Sequence, residues 1–197
     1  MVRTKISASP ENLFKVDEYC EKLPQSKTVQ FHKLVEKTLY DTKRASPDTC
    51  TAVAFLTTIV QSPGLDDWAN MVHIMRYIRG TRTLPLIISA NGSGILKSWL
   101  DTSFAVHPNI RGNSGGGLSL GRRFPIVSST KQKLNTRSST ETELVGDDDF
   151  MPEIYWNRYF MKARGFRVLD NVFFRTTRAL FFRKIMERLR AASALNT

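Results

Sequence analysis

The sequence predicts an α/β fold in which a small helical segment precedes a mixed sheet. Three observations lead to this class. Apolar residues recur at helical spacing between residues 31 and 78, strand patterns separated by turn residues follow over residues 95–129, and a helix with an acidic start comes next. A last strand pattern spans residues 168–174. The order β-β-β-α-β behind a helical segment is typical of α/β proteins.

The helical segment is predicted over residues 29–82 as three amphipathic helices. The first apolar stripe begins at Phe31, a second helix is expected over residues 48–60, and Trp68 opens the stripe of the third. We interpret these stripes as core, because apolar residues on one helix face are normally buried against a neighbour. Residues 1–28 are polar and aperiodic, so we expect a loose leader there.

The sheet is predicted from short strands separated by glycine-rich turns. Residues 84–89 and 95–101 are strand patterns joined by an NGSG turn, which suggests a hairpin-like entry. The glycines at 115–117 lack the lysine of a phosphate-binding loop, so we interpret them as a turn or bulge before a short strand at 118–120. Another strand is expected over residues 124–129.

A helix is predicted to follow the third strand. Ser138 and its polar neighbours can cap it, and the glutamates that follow complement the helix dipole. Pro152 lacks an N–H group and is expected to kink or restart the helix. The apolar second half, residues 154–160, is expected to lie against the sheet. We interpret the acidic run 147–149 as a solvated helix face.

Two carboxylates are the candidate functional residues. Asp101 ends the strand predicted at 95–101, and Glu143 lies in the first turns of the following helix. A carboxylate on a strand that faces a carboxylate on a helix is an arrangement that a two-metal phosphodiester hydrolase needs. A carboxylate pair alone is also typical of a solvated acidic helix start, so at this point both interpretations stay open.

Composition narrows the class of partner. The chain has 197 residues, 41% of them hydrophobic, which supports a packed core, and a net charge of +11, which indicates a polyanionic partner such as nucleic acid. No apolar run reaches the ~20 residues of a membrane span, and the N-terminus lacks the apolar centre of a signal peptide. We therefore expect an intracellular protein, cytoplasmic or nuclear, without a membrane partner or small-molecule cofactor. Cys20 and Cys50 show no metal-type spacing and are expected to be plain thiols.

The blocks SWLDTSFAVHP and SSTKQKLNTRSSTETELVG occur in order within residues 84–173. With them, the chain resembles the ribonuclease H domain at the C-terminal end of copia-type LTR retrotransposon polyproteins. The upstream helical run resembles the connecting segment that joins the polymerase to that domain, and the likeness covers residues 29–171. The resemblance implies a ribonuclease H-like mixed sheet and an activity that hydrolyses the RNA strand of RNA–DNA hybrids.

The resemblance also implies roles for individual residues. Asp101 matches the strand aspartate that bridges two Mg²⁺ ions, and Glu143 matches the glutamate of the E-x-E motif that binds one of them. Lys131 and Lys133 fall in the S-T-K-Q-K segment and are candidate phosphate contacts, with ordinary exposed lysines as the alternative. The implied cofactor is Mg²⁺ and the implied partner is an RNA–DNA hybrid or another nucleic acid.

The likeness stops near residue 174. The family continues with a segment like QDNKSAIL, whose aspartate is the third metal ligand, whereas this chain has Arg175-Thr176-Thr177 at that place. Codons AGG ACA ACA AGA GCG CTA TTC TTC can encode residues 175–182, and the same bases with one C in front spell QDNKSAIL. We therefore hypothesise that the basic tail, residues 174–197, is a frameshifted remnant and that the sheet is incomplete at its C-terminal end. Sequencing the locus tests this, since a shifted frame without DNKSA would contradict it.

The lost ligand sets the functional expectation. Two carboxylates hold Mg²⁺ weakly or not at all, because this ion demands near-octahedral oxygen geometry. We expect an inactive copy of a reverse transcriptase/ribonuclease H region. The alternatives are a basic protein that binds nucleic acid without cutting it, or a pseudogene product without function.

Overall fold

The computed structural model describes residues 7–15, 17 and 19–175. Most of the predicted basic tail, residues 176–197, lies outside the described residues. Within the described residues, the regular elements are four α-helices, one 3₁₀ turn and four strands. They are α1 (Gln25–Arg44), the 3₁₀ turn (Pro47–Thr49), α2 (Cys50–Thr57), α3 (Leu65–Thr81), β1 (Ile95–Ser103), β2 (Asn113–Ser119), β3 (Ile126–Lys131), α4 (Ser139–Ala163) and β4 (Asp170–Arg175). The predicted α/β class is confirmed.

The four strands form one mixed sheet in the order β3-β2-β1-β4. β2 runs antiparallel to both β1 and β3, and β4 runs parallel to β1. The parallel pair follows from α4, which carries the chain back across the sheet in a β-α-β crossover. β4 has one strand neighbour, β1, among the described elements.

The glycines predicted as a turn lie instead inside β2. Gly115, Gly116 and Gly117 pair with β1 on one side and β3 on the other. A Cβ on Gly116 would lie 2.6 Å from the ring of Phe150, and one on Gly117 would lie 2.7 Å from Phe124. The glycines therefore allow aromatic rings to approach both faces of the strand, which is why a glycine run is tolerated in a sheet.

Helix α4 packs on one face of the sheet. Leu96 and Leu100 of β1 and Leu118 of β2 are buried with Phe150 and Ile154 of α4. Alternation along β1 places these leucines on one face and the odd-numbered residues on the other.

The helix does not restart at Pro152, since α4 continues through the proline from Ser139 to Ala163. A proline inside a helix destabilises it by about 3 kcal/mol, because one backbone hydrogen bond is lost. Burial of each large apolar side chain stabilises the fold by about 1.5–3 kcal/mol. Burial of Phe150 and Ile154 on either side of the proline therefore offsets its effect.

The apolar second half of α4 only partly contacts the sheet, contrary to the prediction. Ile154 is buried, but Trp156, Tyr159 and Phe160 are exposed, with Trp156 stacked on Phe160 at 5.2 Å between ring centroids. One helix can present only one stripe to one sheet, and aromatic residues at i+2, i+5 and i+6 from Ile154 lie largely outside that stripe.

The helical segment has its own core, formed by α1, α2, α3 and part of the predicted leader. Leu13 and Leu23 are buried in it, so the leader is not loose throughout, and α1 begins at Gln25 rather than near residue 29. The buried apolar side chains are Leu13, Leu23, Phe31, Val35, Ala52, Val53, Phe55, Leu56, Met71 and Ile74.

The helical segment and the sheet pack against each other through α2 and β3. The ring of His107, in the β1–β2 loop, stacks on Phe55 at 5.5 Å between centroids and meets Phe14 edge-on. Burial lowers the pKa of His107, its contact with Asn113 opposes that shift, and the charge of Lys131 adds to it. The neutral ring thus fits its apolar surroundings.

The strand predicted over residues 84–89 is absent. That stretch has no regular structure, and Leu84, Ile87 and Ile88 are exposed, with one isolated bridge between Ala90 and Gly121. The apolar pattern is correct for a strand, but both edges of β1 are already occupied by β2 and β4.

Among the described helices, none combines the length and apolarity needed to cross a membrane.

Candidate functional site

The topology gathers charged side chains at one end of the sheet. Asp101 lies near the C-terminal end of β1, Arg175 ends β4 opposite Leu100, and Lys131 ends β3. Glu143 lies in the second turn of α4, which begins after a short loop from β3. Parallel β1 and β4 end on the same side, and antiparallel β2 brings the end of β3 there too.

Asp101 faces away from α4. Leu100 and Thr102, its neighbours in β1, point toward α4, where their side chains lie close to Gly146. The side chain of Asp101 is exposed and lines a cavity of about 410 Å³ on the opposite face of the sheet. Trp99 forms one wall of this cavity and stacks on Phe174 at 4.9 Å between centroids.

Glu143 lies on the α4 side and is bound by an arginine. A nitrogen of the Arg175 guanidinium, Nη2, donates to Glu143 Oε2 at 2.8 Å. The two side chains are only 8% and 14% exposed, for Arg175 and Glu143 respectively. The pair is therefore largely shielded from solvent, where an ionic hydrogen bond is stronger than at a surface.

Asp147 joins this pair, which corrects the interpretation of residues 147–149 as a solvated face. Its Oδ2 lies 3.0 Å from Nη1 of Arg175, and the residue is 6% exposed. The pKa of Asp147 is raised to about 6: burial is the main cause, the charge of Arg175 opposes the shift, and the charge of Glu143 adds to it. Asp148 and Asp149 are exposed, as predicted.

The described residues do not fit a Mg²⁺ site built on Asp101 and Glu143. The two carboxylates lie on opposite sides of β1, and the free approach to Glu143 Oε2 is taken by the guanidinium of Arg175. Within residues 7–15, 17 and 19–175, no group of three or more His, Cys, Asp or Glu side chains is placed to hold a metal. Mg²⁺ requires several oxygens in octahedral geometry. The assignment of Asp101 and Glu143 as ligands stays a prediction.

The two candidate phosphate-contacting lysines lie beside a third cation. Lys131 is partly buried, and both this burial and the charge of Arg111 lower its pKa. Arg111 also donates through Nε to Asn135 at 3.3 Å. Lys133 is exposed. Burial and the charge of Asp148 raise the pKa of Asp149, and the charge of Lys133 opposes this shift. The close approach of Arg111 and Lys131 creates a local excess of positive charge.

Between these lysines, Gln132 has a structural role that the sequence did not indicate. It is fully buried, and its side-chain amide donates to Ser114 Oγ at 2.9 Å and to the carbonyl of Thr142 at 2.8 Å. Its backbone N–H donates to Gly112 O at 2.9 Å. The S-T-K-Q-K segment therefore connects β3, β2 and the first turn of α4, which positions Glu143.

The start of α4 is capped as predicted. Ser138 Oγ accepts from the backbone N–H of Glu141 at 3.2 Å, and the carboxylate of Glu141 accepts from the N–H of Arg137 at 2.6 Å. Glu141 is thus used by the cap, which leaves Glu143 as the glutamate that reaches the site.

Two residues of the site were missed by the sequence reasoning. Arg175 was noted only as a departure from a pattern, and Asp147 was assigned to solvent. The spacing of Glu143 and Asp147, four residues apart on one helix, was the available signal that both point the same way. Nothing local in the sequence indicated that an arginine on β4 would lie beneath them.

One curated protein provides a sequence comparison. Over 138 residues, or 70% of its length, the chain is 28% identical to the retrovirus-related Pol polyprotein from transposon TNT 1-94 of Nicotiana tabacum. The chain spans about a tenth of that polyprotein, as the match covers 10% of it. No protein-family model matches, and no solved structure matches. The similarity supports a relationship to a retrotransposon Pol polyprotein without assigning one of its domains.

Proposed function

We propose that this chain is a retroelement-derived, ribonuclease H-like segment that binds nucleic acid and does not hydrolyse it. The element order β-β-β-α-β, with Asp101 on the central β1 and a parallel β4 beside it, supports the ribonuclease H-like assignment. The motif blocks around Asp101 and Glu143 and the similarity to a Pol polyprotein support it independently.

The ion pair of Arg175 is the observation that carries the non-catalytic part of the proposal. Hydrolysis by two metals requires carboxylates that are free to bind cations. Here the positive charge next to Glu143 is a guanidinium at 2.8 Å, and Asp101 lies on the other side of β1. Arginine is always protonated and has no lone pair to offer a metal, so it repels a second cation.

Binding is supported by the distribution of positive charge. The net charge is +11, the charge of Arg111 acts on Lys131 at the end of β3, and exposed Lys133 follows two residues later. A phosphate beside Lys131 would offset the charge of Arg111, which adds to the effect of burial in lowering the pKa of Lys131. Each phosphate contact releases counterions, so affinity should fall steeply as salt rises.

Fluorescence anisotropy with labelled duplexes tests the binding. We expect an RNA–DNA hybrid to bind and its affinity to fall by at least tenfold between about 50 and 200 mM salt. The variant Lys131→Ala/Lys133→Ala should bind more weakly and show a smaller salt slope. Its matched control removes two exposed lysines of α1, Lys33→Ala/Lys37→Ala, and should bind almost as wild type. Equal losses of affinity in the two variants would contradict binding at Lys131 and Lys133. If the wild-type chain does not bind the hybrid even at low salt, the result favours a pseudogene product without function.

Cleavage of a labelled hybrid with Mg²⁺ or Mn²⁺ tests the catalytic part. We expect no cleavage above buffer by the wild-type chain. Metal-dependent cleavage that disappears in Asp101→Asn would overturn the non-catalytic proposal and favour the hydrolase. Asp101 is exposed, so this substitution should leave the fold intact, which circular dichroism would verify.

A further inference from the structure

We propose that Glu143 and Asp147 form a cation site that the chain fills with its own Arg175 guanidinium, and that a divalent cation enters when Arg175 is replaced by a neutral side chain. This site differs from the one that the resemblance implies, because its second carboxylate is Asp147 and not Asp101. It also does not depend on the proposed nucleic-acid binding.

The two carboxylates are directed to one point by helix geometry. Residues four apart in a helix lie about one turn above each other on the same face. Glu143 and Asp147 therefore both face β4, where Arg175 points toward α4 from its position opposite Leu100. One guanidinium spans the two groups, with Nη2 at 2.8 Å from Glu143 and Nη1 at 3.0 Å from Asp147.

The burial of this cluster makes a cation necessary. The side chains of Arg175 and Asp147 are each 8% exposed, and that of Glu143 is 14% exposed. Carboxylates removed from water to this degree stay ionised only with a positive partner, since an unpaired buried carboxyl group takes up a proton instead. The guanidinium supplies it from within the chain.

The charges do not balance, and this points to a divalent ion as the alternative occupant. Two ionised carboxylates carry two negative charges, whereas the guanidinium carries one positive charge. Asp147 Oδ1 is buried and has no hydrogen-bond partner, so one acceptor of the site is left over. A divalent cation matches both the total charge and the preference of hard cations for carboxylate oxygen.

Replacing Arg175 separates this proposal from a purely structural ion pair. In Arg175→Gln, the two carboxylates keep their helix positions and lose their cation. We expect this variant to bind one Mn²⁺ at least tenfold more tightly than wild type. Arg175→Lys keeps a positive charge at the same position, so we expect it to bind Mn²⁺ no better than wild type.

Electron paramagnetic resonance of free Mn²⁺, titrated with the full chain, measures this binding. The further variant Arg175→Gln/Asp147→Asn should lose the site, and Arg164→Gln, at the exposed C-cap of α4, should behave as wild type. Equal binding by wild type and Arg175→Gln would overturn the proposal. So would tight binding that persists when Asp147 is replaced.

Thermal unfolding covers the case in which Arg175→Gln is poorly folded. We expect Mn²⁺ to raise the Tm of Arg175→Gln, or to refold it, and to leave the Tm of wild type unchanged. If Arg175→Gln neither binds Mn²⁺ nor gains stability from it, the carboxylates do not form a cation site and the proposal is wrong. Because no nucleic acid is used, this result is independent of the binding experiment.

Discussion

Replacing Gly116 by alanine tests whether β2 runs through the glycines, the largest difference between the sequence prediction and the structure. The new Cβ would lie 2.6–2.8 Å from three ring carbons of Phe150. That ring is 4% exposed and packed between the sheet and α4, so it cannot turn out into solvent. Extra carbon in a packed core destabilises by about 1–3 kcal/mol, and we expect the free energy of unfolding to fall by that amount.

Urea unfolding followed by far-ultraviolet circular dichroism measures the effect, with Gly115→Ala as the matched control. A Cβ on Gly115 meets its nearest atom, the backbone oxygen of Asp101, at 3.7 Å, which is ordinary contact. Alanine in place of glycine in a strand interior gains about 0.5–1 kcal/mol. Gly115→Ala should therefore be as stable as wild type or slightly more stable.

A double-mutant cycle isolates the contact between Gly116 and Phe150. Phe150→Leu shortens the ring side chain and makes room for the Cβ. Gly116→Ala should then destabilise less in the Phe150→Leu background, with a coupling energy of about 1 kcal/mol or more. If Gly116→Ala and Gly115→Ala have equal effects, or if the cost of Gly116→Ala is the same in both backgrounds, the packing of α4 on β2 is refuted.

Three other predictions concern separate parts of the molecule. Leu13→Ala should lower the free energy of unfolding by about 2–5 kcal/mol because the side chain is buried, whereas exposed Leu84→Ala should change it by less than about 0.5 kcal/mol in the same urea assay. Arg175→Met should destabilise by about 3–5 kcal/mol, since it leaves two buried carboxylates without a cation, and Arg164→Met should have little effect. Burial lowers the pKa of His107 below its ordinary 6.5, so the unfolded chain binds the extra proton and stability should be full above pH 6.5 and decline as pH falls below it. The decline should be smaller in His107→Gln, and an unchanged pH dependence in that variant would contradict the assignment.

The order and type of the main elements were predictable from periodicity. Helices α1 and α3 follow amphipathic stripes, β1 follows strict alternation, and Ser138 caps α4 where a polar residue precedes an acidic first turn. In each case the signal is local, since a few residues determine which face is apolar or where a backbone N–H is satisfied. These features need no knowledge of the neighbouring element.

The errors concern features that depend on a neighbour. Residues 84–89 have the composition of a strand, but both edges of β1, the strand that follows them in the chain, are already occupied by β2 and β4. The glycines of β2 suggest a turn until Phe150 and Phe124 are seen against them. The aromatic residues at 156–160 suggest burial, yet the sheet accommodates only one stripe of α4.

For the candidate site, too, the sequence indicated local features and did not indicate contacts between distant residues. Asp101 and Glu143 were identified from their residue types and positions in the chain, and the topology does bring their elements to one end of the sheet. Their side chains nevertheless point to opposite sides of β1. The partner of Glu143 is Arg175, which is 32 residues away in sequence.

By itself, the sequence determined the α/β class, the succession of strands and helices, the positive charge and the likeness to a retroelement polyprotein. The tertiary structure alone decided which carboxylates are buried, which one faces the open cavity, and which charge neutralises the others. The physical reason is that secondary structure depends on interactions over a few residues, whereas burial and ion pairing depend on strand register. Pairing β4 with β1 so that Arg175 lies opposite Leu100 directs the guanidinium toward α4, and that register depends on contacts between segments far apart in the chain.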